Sequence, residues 1–328
     1  MITEDKAEDS GKSPKITVTI LTYNRAKLLP RAIKSVLNQT FSDFELIIIN
    51  NAATDNTEEV IKSFKDKRII YAKHEKNIPP SAGLNTGIDL AKGKYLVNLS
   101  DDDELLPNAL EIVAEKFAEL SPKGVKMIWF DCINAETGEY SGSGIRKEGP
   151  IFFKDYLCDR FSGDYQIATD KDIIGDNRFN PDFWGGMPSS LWLKFYRNNK
   201  TFYIPETICK MYREHGDSRI SKGETSLLLN HTTRIILTLK FFLREYGEEM
   251  KAFCPKCYGK KLAQLGFYQI LNGEKQEGRS NIITSFKLNF SLVYYFVLIS
   301  SYILNKNQIK FISLSFLKVR KAINHVRT

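Results

Sequence analysis

No glycine-rich phosphate loop follows the first hydrophobic strand of this chain: neither GxxxxGK[ST] nor GxGxxG occurs there. A nucleotide's phosphates would then have to be met chiefly by something other than a cradle of backbone N–H groups and a lysine. Cysteine is sparse, with five in 328 residues (Cys132, Cys158, Cys209, Cys254 and Cys257). Their odd number and irregular spacing argue for a reducing compartment and against a disulfide framework. "FCPKC" holds a lone CxxC, half of a zinc site or a redox pair, with no second CxxC and no His pair beside it. An apolar signal segment is also missing from the start: Met1 to Lys15 is polar and charged, so residues 1–14 read as a disordered lead-in.

Acidic residues are missing from the other end. None follows Glu277, whereas Lys287, Lys306, Lys310, Lys318, Arg320, Lys321 and Arg327 do, and the formal net charge is +8. Nucleic acid is one partner for such a tail, but its neighbours favour lipid. "LNFSLVYYFVLISSYILN", residues 288–305, carries no charge and is rich in aromatic and aliphatic side chains. It is near the lower limit for a span and is broken by Asn289, Ser291, Ser300 and Ser301. Helices over 287–328 lying in the interface and held to anionic lipid fit better than a span, and no nucleic-acid partner is expected. That places the chain on the cytoplasmic, inner face of a cell membrane as a peripheral protein.

What is present is an alternation of strand and helix patterns. "ITVTIL" and "FELIIIN" are short β-branched runs, followed by Ile69 to Ala72 and Tyr95 to Leu99. Between them lie helical stripes over 25–38, 56–64 and 81–91, and Pro107 is placed to open another helix at its first turn. This pattern predicts an α/β fold, Rossmann-like, with a mostly parallel sheet and helices on both faces. Polar clusters close three of the strands: Thr22, Tyr23 and Asn24; then Asn50 and Asn51; then Asp101, Asp102 and Asp103. Each alone would be ordinary turn chemistry. In a parallel sheet, however, the carboxyl ends of the strands line one crevice, where ligands bind. The run of acids there suggests a hard divalent cation, Mg²⁺ or Mn²⁺, with a nucleoside diphosphate completing its coordination.

"VTILTYNRAKLLPRAIKSVLNQTFSDFELIIIN" and "NIPPSAGLNTGIDLAKGKYLVNLSDDDELLP" resemble the family 2 glycosyltransferases of the GT-A fold, over about residues 15–120. "FYIPETICKMYREHGDS" resembles the family's closing strand and His-containing loop, and residues 260–288 the helical hairpin of prokaryotic members. The resemblance implies a GT-A catalytic domain over 15–222 and a C-terminal α-helical region over 223–286. It implies transfer of a sugar, usually with inversion, from a UDP-, GDP- or dTDP-linked donor to a glycan or lipid-linked acceptor of surface polysaccharide or glycoconjugate synthesis. By position, Thr22, Tyr23, Asn24 and Arg25 match the nucleoside loop, Asn51 the contact to the base, and Asp101 a contact to sugar or ribose. Asn85 falls within the matched stretch as a further donor contact. Asp102, with Asp103 beside it, matches the metal-binding DxD motif, and His215 a further metal or diphosphate contact.

Two positions depart from the family pattern. Asn50 and Asn51 stand where relatives usually carry aspartates, leaving the identity of the base open. In "FNPDFWGGMPSSLWLKFY", Met187 and Pro188 occupy the positions of the usual acidic pair, and neither takes a proton. Asp182, and after it Asp176, are the substitute candidates for the base an inverting transfer requires. The loss of that acid also motivates an alternative, a nucleotide-sugar or glycan-binding protein that kept the fold without activity. A nucleotidyltransferase would want a basic glycine-rich loop that "TYNRAKLLP" does not offer. Trp129, Trp184 and Trp192 read as core or pocket wall.

Overall fold

The computed structural model describes residues 2–5, 13–144, 146–181, 189–213, 232–305 and 307–309. The chain forms two compact units: Met1–Tyr156 with Arg160–Gly216, and Leu157–Asp159 with Asp217–Thr328.

The first unit is built on a mixed sheet. Its strands are β1 (Ile2–Asp5), β2 (Ile16–Thr22), β3 (Phe44–Asn50), β4 (Ile69–His74), β5 (Tyr95–Asn98), β6 (Glu104–Leu105), β7 (Val125–Asn134), β9 (Gly149–Ile151), β11 (Tyr165–Asp170) and β12 (Lys200–Met211). A separate two-stranded ribbon pairs β8 (Gly142–Gly144) with β10 (Phe161–Gly163). The main order is β1-β4-β3-β2-β5-β11-β7-β12-β6, with β9 on β12. β2 to β5 are parallel, as is β12 on β7, while β11 runs antiparallel between β5 and β7. Parallel pairing prevails where a helix separates each pair of strands, because only a crossover returns the chain to the same sheet end.

The period-2 alternation of strands assigns the two faces. Ile16, Val18 and Ile20 of β2, with Phe44, Leu46 and Ile48 of β3, share one core with α1 (Leu29–Leu37) and α4 (Ala109–Leu120), through Ile33, Val36, Leu110, Val113 and Phe117. The alternate residues face α3 (Pro80–Leu90), where a Cβ at Gly83 would stand 2.6 Å from Leu21 and one at Gly87 3.1 Å from Thr19. Helices thus cover both faces. α2 (Thr57–Ser63), α5 (Phe153–Leu157) and α6 (Ser189–Asn198) are the other α-helices of this unit among the described residues. A buried carboxylate, Glu45 on β3, joins this layer by accepting the Thr17 hydroxyl (2.6 Å) and the N–H groups of Lys92 (2.6 Å) and Gly93 (3.1 Å).

Two sequence expectations are corrected. Part of the lead-in is ordered, for Ile2–Asp5 pairs antiparallel with β4, satisfying an edge that would otherwise present unpaired backbone groups. Pro107 does not open α4; the helix begins at Ala109 behind Asn108, and the Pro107 carbonyl instead accepts from Thr40 N–H at 2.9 Å.

The second unit is helical: α7 (Thr232–Phe253), α8 (Pro255–Asn272), α9 (Lys275–Phe286) and α10 (Leu292–Ile303). α8 and α9 form a hairpin turned at Gly273, whose φ of 99° suits glycine. They cross at Gly266 and Gly278, where a Cβ on either would meet the other's carbonyl oxygen at 2.5 or 2.6 Å. α10 carries no charged residue. Tyr294, Val297 and Leu298 pack with Ile270, Leu271 and Ile282, while Leu292, Val293, Phe296, Tyr302 and Ile303 are half or more exposed. Lys275 donates to the Leu304 carbonyl at 2.8 Å and Arg279 to that of Ser301, placing two cations at the end of α10 where the helix dipole favours them.

Candidate active site

Because β2, β3 and β5 are parallel, the turns that follow them lie on one edge of the sheet. Two residues there take left-handed backbone conformations, Asn24 (φ 54°) and Ala52 (φ 60°). Asn24 tolerates this because its short amide bonds locally. Its Oδ1 accepts Thr54 N–H at 2.7 Å and its Nδ2 donates to the Thr54 hydroxyl at 3.2 Å, joining the first turn to the second. Ala52 has no such compensation, and a non-glycine residue held there costs about 1–2 kcal/mol. Thr22 is buried and Tyr23 is 38% exposed.

The third turn carries the aspartates. Arg25, itself buried, reaches them from the first turn: its Nη1 lies 2.5 Å from Asp102 Oδ2 and 3.6 Å from Asp101 Oδ1. Burial pushes the Asp101 carboxyl up to about 6, with the Arg25 guanidinium pulling the other way. Burial and the neighbouring Asp102 charge push Asp103 up to about 7, against the backbone N–H of Tyr212, which donates to its Oδ1 at 3.1 Å. Two further residues, invisible to the sequence reading, hold the turn. Arg31 on α1 donates to the Asp102 carbonyl, and its guanidinium stacks 3.4 Å from the centre of the Tyr212 ring. The Tyr212 hydroxyl donates to Glu104 at 2.7 Å. No local spacing signals this clamp, since Tyr212 and Asp103 are 109 residues apart.

The asparagine pair is engaged inside the protein. Asn50 is fully buried, its Oδ1 accepting Ala53 N–H at 2.8 Å and its Nδ2 donating to the Tyr71 hydroxyl at 3.1 Å. Asn51 donates to Asn77 Oδ1 and to the Ile78 carbonyl, both at 2.8 Å, and its own Oδ1 accepts from Ile78 N–H and faces His74 Nδ1, both at 3.1 Å. This fills the capacity of one amide. His74 bridges Asn51 to Thr86, and burial lowers its pKa from the usual value. Nδ1 must then carry the proton, because Asn51 Oδ1 can only accept. His74, which the sequence left without a role, thus locks a loop that aspartate at 51 could not hold.

Asn85 likewise bonds protein backbone, donating to the Phe179 carbonyl and accepting its N–H, both at 2.8 Å. It therefore fixes the segment that leads toward Asp182. Asp176 sits on an exposed turn just before that segment. Asp182, Trp184, Met187, Pro188 and His215 lie outside the described residues.

Beside the aspartate turn opens a cavity of about 370 Å³, whose walls include Asn98, Ser100, Asp103, Trp129, Asp164 and Trp192. Its floor is aromatic: the Trp129 ring has Tyr165, Tyr196, Phe161 and Tyr156 around it at centroid distances of 5.1, 5.3, 5.4 and 5.9 Å. The cavity joins this aromatic floor to polar groups of Asn98, Ser100, Asp103 and Asp164, a combination that suits a small polar ligand. Arg213 pairs with Asp164 near it.

A family model described as glycosyl transferase family 2 matches residues 17–171. Over 217 residues the chain is 34% identical to the GalNAc(5)-diNAcBac-PP-undecaprenol beta-1,3-glucosyltransferase of Campylobacter jejuni, covering 64% of this chain and 68% of that enzyme. The chain belongs to glycosyl transferase family 2. This family 2 glycosyltransferase is also 28% identical over 259 residues to an uncharacterised glycosyltransferase of Methanocaldococcus jannaschii, covering 75% of this chain and 83% of the other. In fold it is similar to S. aureus TarS 1–349, solved in complex with UDP-GlcNAc, with a TM-score of 0.58 at 14% identity over 87% of this chain and 91% of that one. The fold is thus GT-A with an added C-terminal helical region, and the protein is an enzyme of sugar transfer.

Proposed function

We propose that this glycosyltransferase moves a sugar from a nucleoside diphosphate donor, with inversion, onto a lipid-linked glycan acceptor at a membrane surface. The observation that carries this reading is the aspartate turn, where Asp101 and Asp102 share the Arg25 guanidinium and Asp103 lines a cavity with an aromatic floor. Such an excess of oxygen donors suits a hard divalent cation, Mn²⁺ or Mg²⁺. Among the described residues no three ligating side chains are arranged around a metal position, and Asp102 is tied to Arg25. The donor chemistry fits, with Asp102 and Asp103 as the ligands once Asp102 leaves Arg25 and with His215 as a further candidate. A bound cation would supply charge neutralisation for the departing diphosphate.

The chain's own residues account for the remaining steps. Arg25, released from Asp102, is a donor for a phosphate oxygen. Asp101 accepts from a sugar or ribose hydroxyl, and Thr22, Tyr23 and Asn24 form the nucleoside loop. Asn51 and Asn85 act by positioning, holding the 77–78 loop and the Phe179 segment. A carboxylate must take the acceptor's proton as its oxygen attacks the anomeric carbon. Asp182 holds this role, since the segment before it is fixed by Asn85, and Asp176 is the second candidate. The catalytic reading is favoured over a binding remnant because the clamp around the aspartates is complete.

The exposed apolar face of α10 supports peripheral attachment to the inner membrane face, with no helix among the described residues long and apolar enough to cross. A lipid-linked acceptor is the substrate that this attachment suits, and the Campylobacter relative is named for an undecaprenol-linked one. The test is nucleotide release from UDP-, GDP- and dTDP-sugars with an undecaprenyl-diphosphate-linked glycan present. Release from one donor class, dependent on acceptor, is expected; no release from any donor would overturn the reading.

A further inference from the structure

The five cysteines sort into two groups in space. Cys132 and Cys209 are buried neighbours on β7 and β12, paired in register. The other three, Cys158, Cys254 and Cys257, are each partly exposed and meet at the start of α8. Cys254 is the residue preceding the first turn of that helix, Pro255 opens it, and Cys257 ends its first turn. Cys158 arrives from a distant part of the sequence, its thiol 3.7 Å from the Phe253 carbonyl, while the adjacent Asp159 pairs with Lys260 at 3.1 Å. The lone CxxC therefore has a third thiol against it, which spacing could not show.

We propose that Cys254 and Cys257 form a reversible thiol–disulfide pair, in which Cys254 attacks and Cys257 resolves. Residues three apart on a helical turn have Cα atoms about 5 Å apart, within the range a disulfide bridges. The N-terminal end of the 18-residue α8 favours a thiolate at Cys254, the residue that caps it. The two thiols differ in the direction this requires. Burial raises the Cys254 thiol, but bonds from the Cys257 and Cys158 thiols and the Cys257 backbone outweigh it and leave Cys254 below the ordinary range. Burial and the Cys254 sulfur push Cys257 up to about 12. This is the asymmetry of an attacking and a resolving cysteine.

The oxidant is a small-molecule disulfide. The Cys254 thiolate attacks one of its sulfurs, a mixed disulfide forms as the original S–S bond breaks, and the departing thiolate takes up a proton. Cys257 then loses its proton and attacks the Cys254 sulfur, expelling the second thiolate, which that proton neutralises. Two protein thiols are oxidised to one disulfide and the small disulfide is reduced to two thiols. A metal site is the weaker use of these sulfurs, because among the described residues no three ligating groups are arranged to hold an ion.

The test treats the reduced full-length protein with oxidised glutathione and maps all five cysteines by peptide mass spectrometry over time. A Cys254–Cys257 disulfide should form while Cys132 and Cys209 remain thiols. Cys257→Ser should trap one glutathione on Cys254, and Cys254→Ser should leave Cys257 reacting about tenfold more slowly. Early time points on the unaltered protein give the same comparison without a variant, since the first adduct must be on Cys254. A disulfide to Cys158, first modification at Cys257, or one equivalent of zinc that disappears in Cys254→Ser would each overturn the proposal.

Discussion

Arg25 Nη1 stands 2.5 Å from Asp102 Oδ2 and 3.6 Å from Asp101 Oδ1, with the arginine side chain 7% exposed and the two carboxylates 18% and 12%. One buried cation therefore balances the charge of the turn. Replacing it by a neutral residue of similar length leaves those charges unpaired, which costs about 3–5 kcal/mol when one partner of a buried pair is removed. Arg25→Met should lower the melting temperature at pH 7.5 and by a smaller amount at pH 5, where Asp101, with its pKa of about 6, is mostly protonated and the Asp102 pair is the one left to lose. Equal losses at the two pH values in thermal melts would show that Asp101 takes no part in the pairing.

Asp103 tests the same turn from the opposite side. Its carboxyl stands at about 7 when folded, against an ordinary 3.8, so between those values the folded state binds the proton more tightly than the unfolded chain. Its contribution to stability is full below about pH 4, is lost as pH rises to about 7, and stays lost above. The whole change is on the order of 4 kcal/mol. Asp103→Asn keeps an oxygen for Tyr212 N–H and removes the titration. In EDTA it should be more stable than the parent at pH 8, with a flatter pH profile. A parallel profile would remove Asp103 from this role.

Asn51→Asp restores the residue type that relatives usually carry, yet it should destabilise this chain. The carboxylate would face Asn77 Oδ1 and the Ile78 carbonyl, which now accept from the Asn51 amide at 2.8 Å. Asn77 is exposed and Ile78 half-buried, so losing these two bonds costs about 0.5–1.5 kcal/mol each. A denaturant midpoint at or above that of the parent would mean the loop has another support.

The outer face of α10 offers a separate test. Leu292→Asp with Phe296→Asp alters only residues 64% and 63% exposed. Sedimentation with anionic vesicles should fall at least about tenfold while the melting temperature stays within a few degrees, since exposed substitutions seldom unfold a protein. Unchanged sedimentation would place the lipid contact elsewhere.

The alternation of strand and helix was legible because each short apolar run alternates or repeats with its own period, and the three polar strand ends followed from parallel pairing. The strand between β5 and β7 was not: "YQIATD" pairs with β5 across 71 to 75 residues and with β7 across 34 to 42, and nothing local says which neighbours it takes. Arg25 and the aspartates were visible as residues, but their pairing was not. Asn51 and Asn85 matched donor contacts by position, whereas their amides hold backbone and side-chain groups of the protein. Arg31, Tyr212 and Cys158 were hidden by separation along the chain, since contacts of that range carry no spacing signal.

On the proposed reading, the aspartate turn receives a nucleoside diphosphate together with a divalent cation. The experiment to decide this is calorimetric titration of UDP, GDP and dTDP, each with Mn²⁺ and with EDTA, against the parent and Asp102→Asn. One nucleotide should bind with Mn²⁺, lose at least about tenfold in affinity in EDTA, and show no Mn²⁺ dependence in Asp102→Asn. Equal binding with and without the cation, or an unaltered Mn²⁺ effect in Asp102→Asn, would contradict the account.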